Sequence, residues 1–186
     1  MRRTTHILLL VIGFIFIALA ILTAAIAANQ TRKLAEIEKP LDCVEPMKVD
    51  YPAPAIQLID TAGSTVSLAD HMGDVILLNT WATWCPPCRR EMPDLEAFFR
   101  THAEEDFVLL GVNVGDGMET VNQFVNTFQL TFPIWLDPDE STLRSLNTFS
   151  LPYSIAIDRE GIVRYAWSGA TYLSVLESTI SPMLRQ

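Results

Sequence analysis

Residues 81–93 read WATWCPPCRREMP, with Cys85 and Cys88 three apart, proline at both positions between them, and Pro93 five residues after the second cysteine. The nine residues that end at Ala82, DVILLNTWA, are almost continuously apolar, the pattern of a strand buried on both faces. Beyond the cysteines, Cys88, Met92, Leu95 and Phe99 recur at helical spacing, which predicts one helix from about Pro86 to Thr101. The pair therefore falls at the carboxyl end of a central strand and in the first turn of a helix, where open α/β sheets place their sites.

That placement has chemical consequences. Helical positions three apart bring Cβ atoms to about 5–6 Å, within adjustment of a disulfide. The helix amino end presents unpaired N–H groups and a positive dipole, which favour a thiolate at Cys85. Pro86 and Pro87 cost no intrahelical hydrogen bond in the first turn and restrict the reduced dithiol. Pro93 removes one hydrogen bond inside the helix, so a kink is predicted there. A zinc half-site is the competing reading of C-x-x-C, but a structural zinc needs four ligands. Cys43 is distant, His71 and His102 stand alone, and His6 belongs to the amino-terminal tail, so no metal site and no cofactor are expected. An inert structural disulfide is the other alternative; the constellation favours a redox-active pair.

Working outward, AIQLID and TVSL around Thr61-Ala62-Gly63-Ser64 predict a small hairpin. FVLLGVNV predicts a second buried strand, ETVNQFVNTFQ a helix, FPIWLD a strand and DESTLRSLN a short helix. YSIAID and IVRYAWSG, turned at Asp158–Gly161, predict an antiparallel hairpin, and TYLSVLESTISPMLR one closing helix. This order implies an α/β fold on a mixed sheet.

The rest of the chain sets the context. From Ile7 to Ala28 there are 22 residues without a charge, behind Arg2 and Arg3. A secretory h-region runs about 7–15 residues and a membrane span about 20, so the segment is read as a transmembrane anchor, with a cleaved signal before residue 28 as the alternative. Positive residues stay inside, which makes residues 1–6 cytoplasmic and everything after residue 28 extracytoplasmic at the cell membrane. Residues 29–53, with Pro40, Pro46 and Pro52, read as a stem and extended linker, and residues 54–186 as the folded domain. Outside Arg2 and Arg3 there are 11 basic against 22 acidic residues, an acidic surface that suits solubility, suggests no nucleic-acid partner and leaves room for a basic one.

The stretches NTWATWCPPCRREMPDLE, GVNVGD, FPIWLD and LPYSIAIDREGIVRYAWSG together resemble the membrane-anchored, extracytoplasmic thioredoxin-like proteins of the TlpA/ResA type, over residues 54–186. The resemblance implies a thioredoxin fold with an amino-terminal β-hairpin and a central helix-containing insertion. It implies that Pro152 is a cis-proline facing the cysteines, and that Trp84, Pro86, Pro87 and Pro152 border the substrate, although Trp84 reads equally as a packed aromatic. The family's buried carboxylate falls on Asn79, which cannot take a proton. Glu91, three residues after Cys88, is then the nearest carboxylate on the helix, either tuning or relaying protons to the Cys88 thiol or simply favoured by the helix dipole. Tyr153-Ser154-Ile155 departs from the Thr-Thr-Phe common in the family, so the substrate groove is expected to differ.

The implied activity is protein-disulfide exchange: Cys85 thiolate attacks a substrate disulfide, and Cys88 resolves the mixed disulfide. The resemblance further implies a membrane thiol-transfer donor of the DsbD/CcdA type, with apocytochrome c or copper-assembly proteins as substrates. A general disulfide-forming oxidase or isomerase would use the same motif at a more oxidising potential. A cysteine peroxidase would need its own proline- and threonine-bearing cysteine loop, and none is found; a non-catalytic anchored binding module would not need the cysteines at all. Cys43 lacks a lipidation context and is read as incidental or as a link between two chains.

Overall fold

In a computed structural model of the protein, the described residues are 17–26 and 44–185. Residues 17–26 are helical (α1) and belong to a unit separate from the one that starts at Asp42. The remainder of the expected 7–28 span, residues 1–6, most of the stem and Cys43 lie outside the described residues. Among the described residues no helix is long and apolar enough to cross a membrane.

The second unit is built on β4, Val75–Trp81, all seven of whose residues are buried. β5, Phe107–Val114, runs parallel beside it, and β6, Ile134–Asp137, parallel beside β5. On its other side β7, Tyr153–Ile157, pairs antiparallel with β4, and β8, Ile162–Ser168, with β7. The sheet is completed by β1, Met47–Pro52, against β8, and by the hairpin of β2, Gln57–Asp60, and β3, Thr65–Ser67, against β6. The order is β1-β8-β7-β4-β5-β6-β2-β3, eight strands in one mixed sheet.

Alternation along β4 separates two cores. Val75, Leu77 and Trp81 join one apolar cluster with Met92, Leu95 and Phe98 of α2, Pro86–His102, and with Val121 and Phe124 of α3, Met118–Phe128. Leu176 of α5, Leu173–Thr179, and Met183 and Leu184 of α6, Ser181–Leu184, close the same cluster. Ile76 and Leu78 face a second cluster with Leu68, Leu110, Trp135, Leu146 and Ile155, near the short α4, Ser141–Ser145. From β2 onward the strands thus match the α/β expectation, and α3 is the helix expected over ETVNQFVNTFQ.

Two sequence expectations are corrected. The linker was placed through residue 53, yet Met47–Pro52 is a strand, its Asp50 paired with Arg164 of β8, which also binds Asp158 of the turn. Pro52 conceals the strand in a sequence scan, because a proline is tolerated only where its missing donor is not needed, as on this sheet edge. The single closing helix is in fact two, since α5 stops at Thr179 and α6 restarts with Pro182 in its first turn. At Pro93, by contrast, α2 continues unbroken through residue 102.

Packing is close where β5 passes Trp81. A Cβ built on Gly111 would lie 2.8 Å from both Ile134 Cδ1 and Phe132 Cε2 and 3.2 Å from Trp81 Nε1. Gly111→Ala should therefore destabilise the domain by about 1–3 kcal/mol, read as a lower urea midpoint with an unchanged m-value.

Candidate functional site

Where β4 ends, Ala82–Trp84 lead into α2, and Cys85 becomes the helix N-cap with Pro86 and Pro87 as the first helical residues. The structure joins Cys85 and Cys88 in a disulfide, S–S 2.04 Å. Cys85 Sγ also accepts the Cys88 N–H at 3.3 Å, so one of the orphan donors of the helix end is spent on that sulfur. Cys85 is 3% exposed and Cys88 fully buried in the α2-side core. In contrast, Trp84 is 68% exposed, which removes the packed-aromatic reading, and Pro86 is exposed as well.

Pro152 reaches the same end of the sheet through strand register. Tyr153 is the Cα partner of Thr80, so Pro152 lies beside the end of β4 from which the cysteine turn departs. The Leu151–Pro152 peptide is cis. The Thr80 hydroxyl donates to Tyr153 O at 3.0 Å and accepts from Tyr153 N at 3.3 Å, and Gly169 N donates to Pro152 O at 2.8 Å, so the backbone around the proline is held on both sides. Phe149, just before it, is almost fully exposed.

Beneath the disulfide is a buried polar row that crosses three elements. Glu91 is fully buried on the same helix as Cys88; its Oε1 accepts from Asn79 Nδ2 at 2.9 Å and its Oε2 from Thr171 N at 2.8 Å. The same Asn79 nitrogen donates to Ser154 Oγ at 2.9 Å, which is possible because Asn79 and Ser154 are paired across β4 and β7. Burial pushes the Glu91 carboxyl from its ordinary 4.5 up to about 8; the Thr171 and Asn79 donors pull it down, and the nearby Asp94 adds to the rise. Asp94 itself is raised by burial and lowered by the Leu173 N–H. Glu91 is thus a proton-holding group near neutral pH rather than a solvated residue attracted by the helix dipole.

Sequence reasoning named Asn79 and Glu91 but missed Ser154 and Thr171 as their partners, since only strand pairing and the turn before α5 bring those two in. It also missed Asp116, whose Oδ2 accepts from Thr83 N at 2.7 Å and from Asn113 Nδ2 at 3.0 Å. Asp116 ends the GVNVGD stretch, so its position after a buried strand was the available signal. His102, which stood alone in sequence, lies between Glu105 and Glu177 at the far end of α2. No group of three His, Cys, Asp or Glu suited to a metal occurs among the described residues.

Comparison with known proteins agrees with this geometry. A profile of the AhpC/TSA family matches residues 49–166. The chain is 37% identical over 117 residues to the thiol-disulfide oxidoreductase ResA of Geobacillus kaustophilus, covering 63% of this chain and 67% of the relative. Against the ResA of Bacillus subtilis the identity is 33% over 111 residues, 60% of this chain and 62% of that one. A solved structure of a thiol:disulfide interchange protein of the thioredoxin family from Chlorobium tepidum superposes with a TM-score of 0.66 at 26% identity, covering 74% of this chain and 99% of the other.

The raised carboxyl makes a stability prediction. The folded protein holds the Glu91 proton more tightly than the unfolded chain, so its contribution is complete below pH 4.5 and is lost as pH rises to about 8. The oxidised protein should lose stability across that window by up to about 1.4 kcal/mol per pH unit. Glu91→Gln should flatten the profile.

Proposed function

The chain belongs to the AhpC/TSA family and is a thiol-disulfide oxidoreductase of the ResA type, and from that premise we propose that it works as an extracytoplasmic reductant of protein disulfides. The observation that carries the direction is the setting of Cys88. It is buried among apolar side chains, and the ionisable group nearest to it along its helix face is the Glu91 carboxyl, which holds its proton near neutral pH. An oxidant gains its force from a strongly stabilised thiolate in its reduced form; apolar burial withholds that stabilisation from Cys88 and leaves Cys85, at the helix amino end, as the place where a thiolate forms.

The steps follow from the geometry. In the reduced protein Cys85, at the helix amino end, carries the more stable thiolate and attacks one sulfur of a substrate disulfide. The other substrate sulfur leaves as thiolate and takes a proton. Cys88 then loses its proton, attacks Cys85 Sγ, and releases the reduced substrate, leaving the Cys85–Cys88 disulfide. In its ionised fraction, which grows as pH approaches about 8, Glu91 receives the Cys88 proton, and on reduction it returns it. Trp84, Pro86, Pro87 and Pro152 border the sulfurs, and exposed Trp84 and Phe149 offer apolar area to the substrate segment.

The peroxidase chemistry that the broader family name suggests is not the reading favoured here. Of the three cysteines in the chain, two are spent in this disulfide. The uncharged run from Ile7 to Ala28 behind Arg2 and Arg3 supports a single membrane anchor with the domain outside the cytoplasm. In that compartment the reductant must be renewed through the membrane, which is the work of a thiol-transfer partner of the DsbD/CcdA type. Apocytochrome c and copper-assembly thiols are the substrates this reading favours.

Redox-buffer titration of the Cys85–Cys88 couple should give a potential near or below about −270 mV, the thioredoxin range. A value near about −120 mV would belong to a disulfide-forming enzyme and would overturn the reductant reading. In parallel, Cys88→Ser should accumulate a mixed disulfide through Cys85 when offered an oxidised protein substrate, visible on a non-reducing gel.

A further inference from the structure

The turn that carries Trp84 to Cys85 is gripped from outside at one residue. Thr83 N–H donates to Asp116 Oδ2 at 2.7 Å, and Thr83 O accepts from Arg89 Nη1 at 3.3 Å. Both groups come from beyond the turn: Arg89 from the second turn of α2, Asp116 from the segment between β5 and α3. Asp116 is itself anchored, because the same Oδ2 accepts from Asn113 Nδ2 at 3.0 Å, and Asn113 is a fully buried residue of β5 paired with Trp81. Arg89 is anchored on α3, its guanidinium 5.6 Å from the Phe124 ring centroid and 5.3 Å from that of Phe128. Inside the grip, Cys85 N–H donates to Ala82 O at 3.2 Å and closes the turn.

The geometry points to Asp116 as a positioning residue of disulfide exchange: its carboxylate fixes Thr83, and through the closed 82–85 turn fixes the line on which Cys85 Sγ meets a substrate sulfur. Thiol-disulfide displacement is an in-line attack on sulfur, so a small rotation of the attacking group lowers the rate even where its thiolate is fully formed. The single residue between Thr83 and Cys85, Trp84, leaves little slack, since successive Cα atoms are only about 3.8 Å apart. The inference rests on Cys85 being the attacking thiol. It adds that the segment between β5 and α3, through Asp116, shapes the attack.

The test is the rate of exchange with an oxidised protein substrate, measured against pH and compared on the alkaline plateau, where every variant has its thiolate formed. Asp116→Ala should lower the plateau rate constant about tenfold. Asp116→Asn, which keeps an oxygen acceptor for Thr83 N–H, should recover most of that loss. Amide hydrogen exchange supplies a direct readout: Thr83 N–H should be protected in the unsubstituted protein and exchange at least about tenfold faster in Asp116→Ala. A folded Asp116→Ala protein with the unsubstituted plateau, an Asn variant no better than the Ala variant, or an unprotected Thr83 amide in the unsubstituted protein would each overturn the proposal. Cys85→Ser separates the two layers, because exchange persisting in that variant would remove the attacking-thiol reading itself.

Discussion

Everything in the folded unit is referred to a strand that meets no water. β4 has both faces covered, so its register is locked from two sides at once, by parallel pairing to β5 and antiparallel pairing to β7. A one-residue slip would drive Asn79 into the apolar cluster of the opposite face and pull Leu78 under the helix. That constraint places the end of β4, and hence the N-cap cysteine, at a defined height relative to Pro152 on the neighbouring strand. The redox pair and the cis-proline share one end of the sheet because each adjoins the same buried ribbon.

Against this apolar background the buried polar row is the exception that needs a physical account. An unpaired carboxylate in such a place would cost several kcal/mol, and the protein meets the problem in two ways. It supplies two N–H donors, from Asn79 and Thr171, and it lets the carboxyl keep its proton until the solution is mildly alkaline. The position on β4 where a thioredoxin-like chain would bury an acid holds an amide here, and the acid arrives from the helix above. Asn79 donates to both Glu91 and Ser154, so the helix and two strands are tied by one side chain.

Much of this was legible before any coordinates. β4, β5 and α2 could be read from unbroken apolar runs and from the spacing of Met92, Leu95 and their neighbours, because burial on both faces or on one stripe writes itself directly into residue type. The cysteine pair was legible for the same reason, its local geometry being contained within four residues. β1 went unread although Met47, Val49 and Tyr51 alternate with Lys48 and Asp50, because Pro46, Pro52 and Pro54 mark the stretch as linker and its stability comes from β8, more than a hundred residues away in the chain. Ser154, Thr171 and Asp116 escaped for a related reason. Each acts through a partner far along the chain or across a turn, and a single small polar residue carries no mark of the partner that folding will give it.

The outer strands of the sheet have a consequence for the company the protein keeps. β3 has only three residues and β1 closes on a proline, so neither lateral border offers a long row of free backbone groups to a visiting chain. Such borders resist the sideways growth that leads to aggregation. On the proposed function, a substrate disulfide is then met at the ends of the strands, where Cys85 and Pro152 lie, rather than along a border of the sheet.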